Sequence, residues 1–191
     1  MKHVTEAQMK SAVATLLMGM GLDPEEPGLI QTPRRVVGYL MEYSGQVDPE
    51  EVLKDGFESP NTDSHAMVVQ SGIPFRMACE HHLLPAVGRA AIGYIPGDRV
   101  IGLSKLTRLV QAVGTERPSL QEAITERVAN ILSEKAKPKG VIVVTRAEHT
   151  CMACRGINAP GVQTMCSSVK GVYRDVPHAR AEFFDLIGGS P

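Results

Sequence analysis

The chain has 191 residues, 43% of them hydrophobic and 21% charged, with a formal net charge of -1. That length accommodates one domain with a substantial core, and interspersed charges near balance exclude a nucleic-acid or membrane surface that works by bulk electrostatics. No window reaches the roughly 20 apolar residues of a membrane span, and residues 1–30 carry no signal-peptide pattern, so a cytoplasmic protein without membrane or nucleic-acid partners is expected. Trp is absent and aromatics are few, which argues against stacking platforms for bases. Four cysteines, two of them beside histidines, fit metal binding in a reducing compartment better than a disulfide framework.

Residues 5–20 read as an amphipathic helix, opened by the capping-box pattern Thr5-x-x-Gln8, with Met9, Ala12, Val13, Leu16, Leu17 and Met20 at helical spacing and Gly21 as its stop. Thr32 as N-cap and Pro33 at the first helical position announce a second helix through Val36, Val37, Leu40 and Tyr43. A polar, turn-rich stretch from Ser44 to Ser64 divides a helical segment, 1–64, from a main domain, 65–191. There the texture turns to β-type runs at Met67–Gln70, Ile73–Met77 and Val87–Ile95. Two helices follow, one from about Leu103 and one from Ser119 to Leu132, then a strand at Val141–Thr145, a further strand at Val169–Tyr173 and a terminal helix over Arg180–Ile187. This order predicts an α+β domain with two helices on one face of an antiparallel sheet.

The chemistry concentrates in Cys79-Glu80-His81-His82 and in His149-Thr150-Cys151-Met152-Ala153-Cys154-Arg155. Cys79 and His82 make a C-x-x-H pair, and Cys151 can supply a third soft ligand, leaving a fourth position for water as in a catalytic zinc site. Cys154 allows the opposite reading, a closed Cys3His structural site that merely staples two loops. In the open site His81 and His149 are acid and base candidates; in the closed one they are incidental. Cysteine and histidine spacing leaves both readings standing.

Those two stretches, together with Leu83-Leu84-Pro85, Gly93-Tyr94-Ile95-Pro96, Ile101-Gly102-Leu103-Ser104-Lys105-Leu106, Gln121-Glu122 and Arg155-Gly156, resemble the GTP cyclohydrolase I family from about Thr32 to Ile187. The resemblance implies the tunnelling fold, in which sheets from several subunits close a barrel, a homodecamer of two pentamers with sites between subunits, and GTP as substrate. It places the Zn2+ ligands on Cys79, His82 and Cys151, with water as the fourth. His149 falls on the group that protonates N7 of the purine, and His81, with Ser104 near it, on the group that assists the later sugar rearrangement. Glu122 matches the carboxylate that reads guanine, with Gln121, Leu120, Ile101 and Leu103 on neighbouring substrate positions. Lys105, Arg108 and Arg155 match the triphosphate clamp, and Arg35 an arginine from an adjacent subunit. Read locally, Ser119-x-x-Glu122 is also a capping box, which would turn Glu122 back onto its own helix. Two stretches depart from the family pattern: one extra residue at Gly114-Thr115-Glu116, and Gln163-Thr164-Met165-Cys166-Ser167-Ser168 where threonine and serine are usual.

Overall fold

The computed structural model describes residues 4–54, 57–58 and 66–188. Contacts divide the chain into two compact units, Met1–Ser44 and Gly45–Pro191. In the first, α1 (Glu6–Gly19) opens on the expected capping box, the Thr5 side chain accepting from Gln8 N–H while Gln8 reaches back to the Thr5 N–H. The apolar stripe of α1 is only partly used. Leu17 alone is buried, whereas Leu16 and Met20 stay exposed, because within this unit α1 packs only against α2 (Thr32–Met41). Thr32 is not the N-cap of α2: Gln31 holds that place, no side chain caps the helix, and Val37 is its buried residue.

The second unit is built on an antiparallel four-stranded sheet. A two-residue ribbon pairs β1 (Phe57–Glu58) with β4 (Arg99–Val100). The main sheet has the order β2 (Val68–Ala78), β3 (Pro85–Ile95), β5 (Gly140–His149), β6 (Gln163–Gly171). The two β-runs expected at Met67–Gln70 and Ile73–Met77 are one strand, β2, interrupted by a register shift between Gln70 and Ile73. Pro74 is tolerated inside it because β2 lies at the sheet edge, where a missing N–H costs no ladder bond. Of the segment between Ser44 and Ser64, the described part does not stand apart: Val52 and Leu53, beside a 3-10 turn at Pro49–Glu51, join the main core.

Helices α3 (Leu103–Glu116) and α4 (Gln121–Ala136) cover one face. Leu106, Leu109, Val110, Val128, Ile131 and Leu132 meet Ile73, Phe75, Met77, Ile92, Tyr94, Val141 and Val143 in the larger core. Burial of this many aliphatic side chains, each worth about 1.5–3 kcal/mol, is the main force holding the helices on the sheet. Tyr173 is not in a strand: β6 ends at Gly171, and Tyr173 lies in a short helix, α6 (Val172–Asp175), followed by α7 (Pro177–Leu186). These two cover part of the opposite face, with Tyr173 and Phe183 packed on Ile142 and Val144. Gly93 makes room there, since a Cβ would come within 2.6 Å of Phe183. No helix among the described residues is long and apolar enough to cross a membrane.

Candidate active site

The functional residues gather where β2 turns into β3 and β5 ends. Cys79 follows the last residue of β2, and a tight loop folds back on it: its N–H donates to the Leu84 carbonyl at 2.9 Å and its own carbonyl accepts from Leu83 at 2.8 Å. Closing this turn puts Leu83 at φ 55, the left-handed region that non-glycine residues rarely adopt. β5 delivers His149 at its last position and passes into the one-turn helix α5 (Thr150–Ala153). The Thr150 hydroxyl donates to the Pro85 carbonyl at 2.6 Å and pins α5 to the start of β3. Two segments about seventy residues apart in sequence are thereby brought together.

The donor atoms of Cys79, His82 and Cys151 lie within 4.8 Å of one another. Cys79 Sγ and His82 Nδ1 are 3.7 Å apart, close to the separation of roughly 3.5 Å that follows from Zn–S of about 2.3 Å and Zn–N of about 2.0 Å at the tetrahedral angle. The chemistry of the set agrees: burial, and next the neighbouring Cys79, push the Cys151 thiol above its ordinary range. A Cys151 thiolate beside Cys79 is favoured by a cation, so soft S, S and N donors at this spacing fit a divalent zinc-like ion. Cys154 stands outside the group, exposed, with its thiol donating to the Thr150 carbonyl at 2.8 Å. The closed Cys3His arrangement is therefore not formed. Arg155 Nη1 lies 2.6 Å from His82 Nε2. A guanidinium can only donate, so Nε2 is the acceptor and Nδ1 carries the ring proton in this arrangement.

His149 sits half-buried beside this group, its Nε2 2.7 Å from Gln121 Oε1. Burial lowers its pKa, and the Glu122 carboxylate acts weakly in the opposite sense. Glu122 also adds to the burial that raises the Cys166 thiol, which places the carboxylate within electrostatic reach of both side chains. The capping box at Ser119 is not made: Leu120 precedes α4 and no side chain caps it, leaving Glu122 exposed and turned to no cap. His81 is exposed, with Nδ1 3.9 Å from Cys79 Sγ and Nε2 3.9 Å from Glu80.

The remaining candidates lie elsewhere. Ile101, whose N–H donates to the Tyr94 hydroxyl at 3.0 Å, leads into Leu103, Ser104, Lys105 and Arg108 on α3. Tyr94 is at the far end of β3 from Ala86, which pairs with His149. Eight strand residues at roughly 3.4 Å each separate the two ends by about 27 Å. Lys105 and Arg108 line a cavity of about 830 Å³ along α3, together with Arg76, Phe75 and Val52. Arg35 belongs to α2 in the first unit. One chain thus brings together Cys79, His81, His82, Gln121, Glu122, His149, Cys151 and Arg155, whereas Ser104, Lys105 and Arg108 belong to α3, which starts from the Tyr94 end of the sheet. Thr145 and Thr164, which hold the Gln121 side chain, are not legible as site residues: no motif marks them, and only strand pairing and the packing of α4 bring them in.

The GTP cyclohydrolase I family profile matches residues 9–188. Among curated proteins, the GTP cyclohydrolase 1 of Bacillus subtilis is 43% identical over 190 residues, covering 98% of each chain. That of Halalkalibacterium halodurans is 44% identical, over 99% of this chain and 100% of its own. That of Thermobifida fusca is 42% identical, over 97% and 90%. A solved structure, the archaeosine synthase QueF-Like in the apo form, aligns at a TM-score of 0.47 and 16% identity over 57% of this chain and 97% of its own. At that level of likeness nothing about its activity transfers. The profile and the full-length relatives do: the chain belongs to the GTP cyclohydrolase I family.

Proposed function

We propose that this protein opens the guanine imidazole ring of GTP hydrolytically at C8, releases that carbon as formate and recloses the remainder to 7,8-dihydroneopterin triphosphate, with zinc held by Cys79, His82 and Cys151. The observation that carries the reading is the open three-donor group with His149 beside it and Cys154 turned away. When bound, zinc lowers the pKa of water toward neutrality and acts as a Lewis acid.

The chain's own residues supply the rest. His149 holds a proton for N7, which makes C8 electrophilic toward water. Glu122 accepts from N1–H and the 2-amino group, the paired donors that distinguish guanine from adenine. Leu120, Ile101 and Leu103 occupy neighbouring substrate positions and bracket the base. His81 and Ser104 serve the later opening of the sugar. Lys105, Arg108 and Arg155 hold the triphosphate as cations, with Arg35 supplied by an adjacent subunit.

The start of α3 at the Tyr94 end, about 27 Å along β3 from the end that pairs with His149, supports a site completed by a second chain. The expected assembly is a decamer of two pentamers, soluble in the cytoplasm, acting at the entry to folate or another pterin pathway. The test is to incubate zinc-loaded protein with GTP under reducing conditions and follow formate and pterin fluorescence. Both products should form with wild type and neither with Cys151→Ser; zinc bound at one per chain without products would overturn the proposal. Mixed oligomers of Cys151→Ser with Lys105→Ala should regain activity that neither variant has alone, and their silence would place the whole site in one chain.

A further inference from the structure

Gln121 is 2% exposed, and both halves of its amide are engaged. Nε2 is surrounded by acceptors: the Thr145 carbonyl at 3.3 Å, the Thr145 hydroxyl at 3.0 Å and the Thr164 carbonyl at 3.1 Å. A reversed amide would set Oε1 against two carbonyl oxygens, so the orientation is determined. The surrounding hydroxyls agree with it. Thr125 donates to the Gln121 carbonyl at 2.7 Å, the Thr145 hydroxyl is 2.7 Å from Thr125 and donates to it, and Gln121 Nε2 donates to Thr145. Every donor in this buried network meets an acceptor, which is the condition for such a network to hold its members rigidly. Its outlet is Oε1, 2.7 Å from His149 Nε2.

An amide oxygen only accepts, so His149 Nε2 must carry hydrogen. We infer that Gln121 is a positioning residue that locks His149 as the Nε2–H tautomer and leaves Nδ1 as the nitrogen presented to the purine. This rests on the proposed role of His149 in proton transfer at N7. It adds that the Nε2–H bond to Gln121 fixes one ring orientation. It also moves Gln121 from contact with substrate to control of the residue that makes contact.

The test uses zinc-loaded enzyme labelled with 15N-histidine, with solid-state 15N NMR to read ring tautomers and His149→Asn to assign the His149 signals by subtraction. Wild type should show His149 protonated at Nε2 and bare at Nδ1. Gln121→Met should lose that single tautomer and lower kcat by about 10- to 100-fold, the usual cost of releasing an orienting partner, with KM for GTP changed less than about threefold. Thr145→Val, which leaves Gln121 in place, should lower kcat less and in the same pattern, separating loss of orientation from failure to fold. A wild-type His149 protonated at Nδ1 would overturn the inference, as would a Gln121→Met enzyme with unchanged kcat and a raised KM. If His149→Asn kept full turnover, the proton-transfer role would fall while the tautomer would still be read from the spectrum.

Discussion

Arg155→Ala should tighten zinc binding while weakening GTP binding. Arg155 Nη1 donates to His82 Nε2 at 2.6 Å, which requires the ring proton on Nδ1, the atom 3.7 Å from Cys79 Sγ. A metal at Nδ1 displaces that proton, and Nε2 must then carry hydrogen; donor would face donor, and Arg155 has to let go. Zinc therefore competes with this bond. A charge-assisted hydrogen bond is worth about 1.5–3 kcal/mol, reduced to about 1 kcal/mol for a pair in contact with water, or roughly fivefold in affinity. Arg155 also draws the Cys151 thiol down, the smallest of the influences on that group, which trims the gain to about two- to fivefold. Competition against a chromophoric chelator at pH 7 under reducing conditions reads the zinc affinity, and steady-state kinetics of the loaded enzyme reads KM for GTP. Weaker or unchanged zinc binding in Arg155→Ala would refute the competition.

Cys154→Ser should retain zinc at one per chain by metal analysis, whereas Cys151→Ser should lose it, because only Cys151 belongs to the donor group; equal loss in both would restore the closed site. Glu122→Gln should lower kcat/KM for GTP by about 100-fold or more, since a carboxylate that caps nothing is free to accept both guanine donors, and an unchanged value would remove it from base recognition. Gly88→Ala should cost about 3 kcal/mol, lowering Tm by roughly 6–12 °C, because its Cβ would come 2.1 Å from the Arg146 carbonyl oxygen on β5. Gly19→Ala, with nothing within 4 Å, is the matched control and should leave Tm unchanged or higher. Burial, then Glu122, raises the Cys166 thiol above its ordinary 9.0, so the folded state binds more protons than the unfolded one and the contribution to stability is lost as pH rises through that range. Alkylation of Cys166 followed by mass spectrometry should show a midpoint above 9.0 that moves down in Glu122→Gln; a midpoint at or below 9.0 in wild type would contradict this.

What the sequence by itself determined is local chemistry and local periodicity. The capping box at Thr5, the start of α3 at Leu103, the β-branched run at Val141–Thr145 and the C-x-x-H loop all rest on neighbours within a few residues, and the structure forms each of them. Where a reading failed, a tertiary term outweighed a local one. Ser119 and Glu122 have the capping pattern, yet Ser119 bonds to the Cys79 loop, its N–H donating to the Ala78 carbonyl and its own carbonyl accepting from Glu80. Tyr173 has β-type neighbours, yet its ring is buried against Phe183 in a helical turn. Only the tertiary structure decided between Cys151 and Cys154, because both stand one helical turn apart and the pinning of Thr150 to Pro85 aims just one of them at Cys79. It alone also assembled the Gln121 network, whose partners lie 24 and 43 residues away and meet only through strand pairing and the packing of α4 on β5 and β6. Residue types name the reaction's participants; the sheet register decides which of them one chain can bring together, and it sets the start of α3 at the end of β3 opposite the one that pairs with His149.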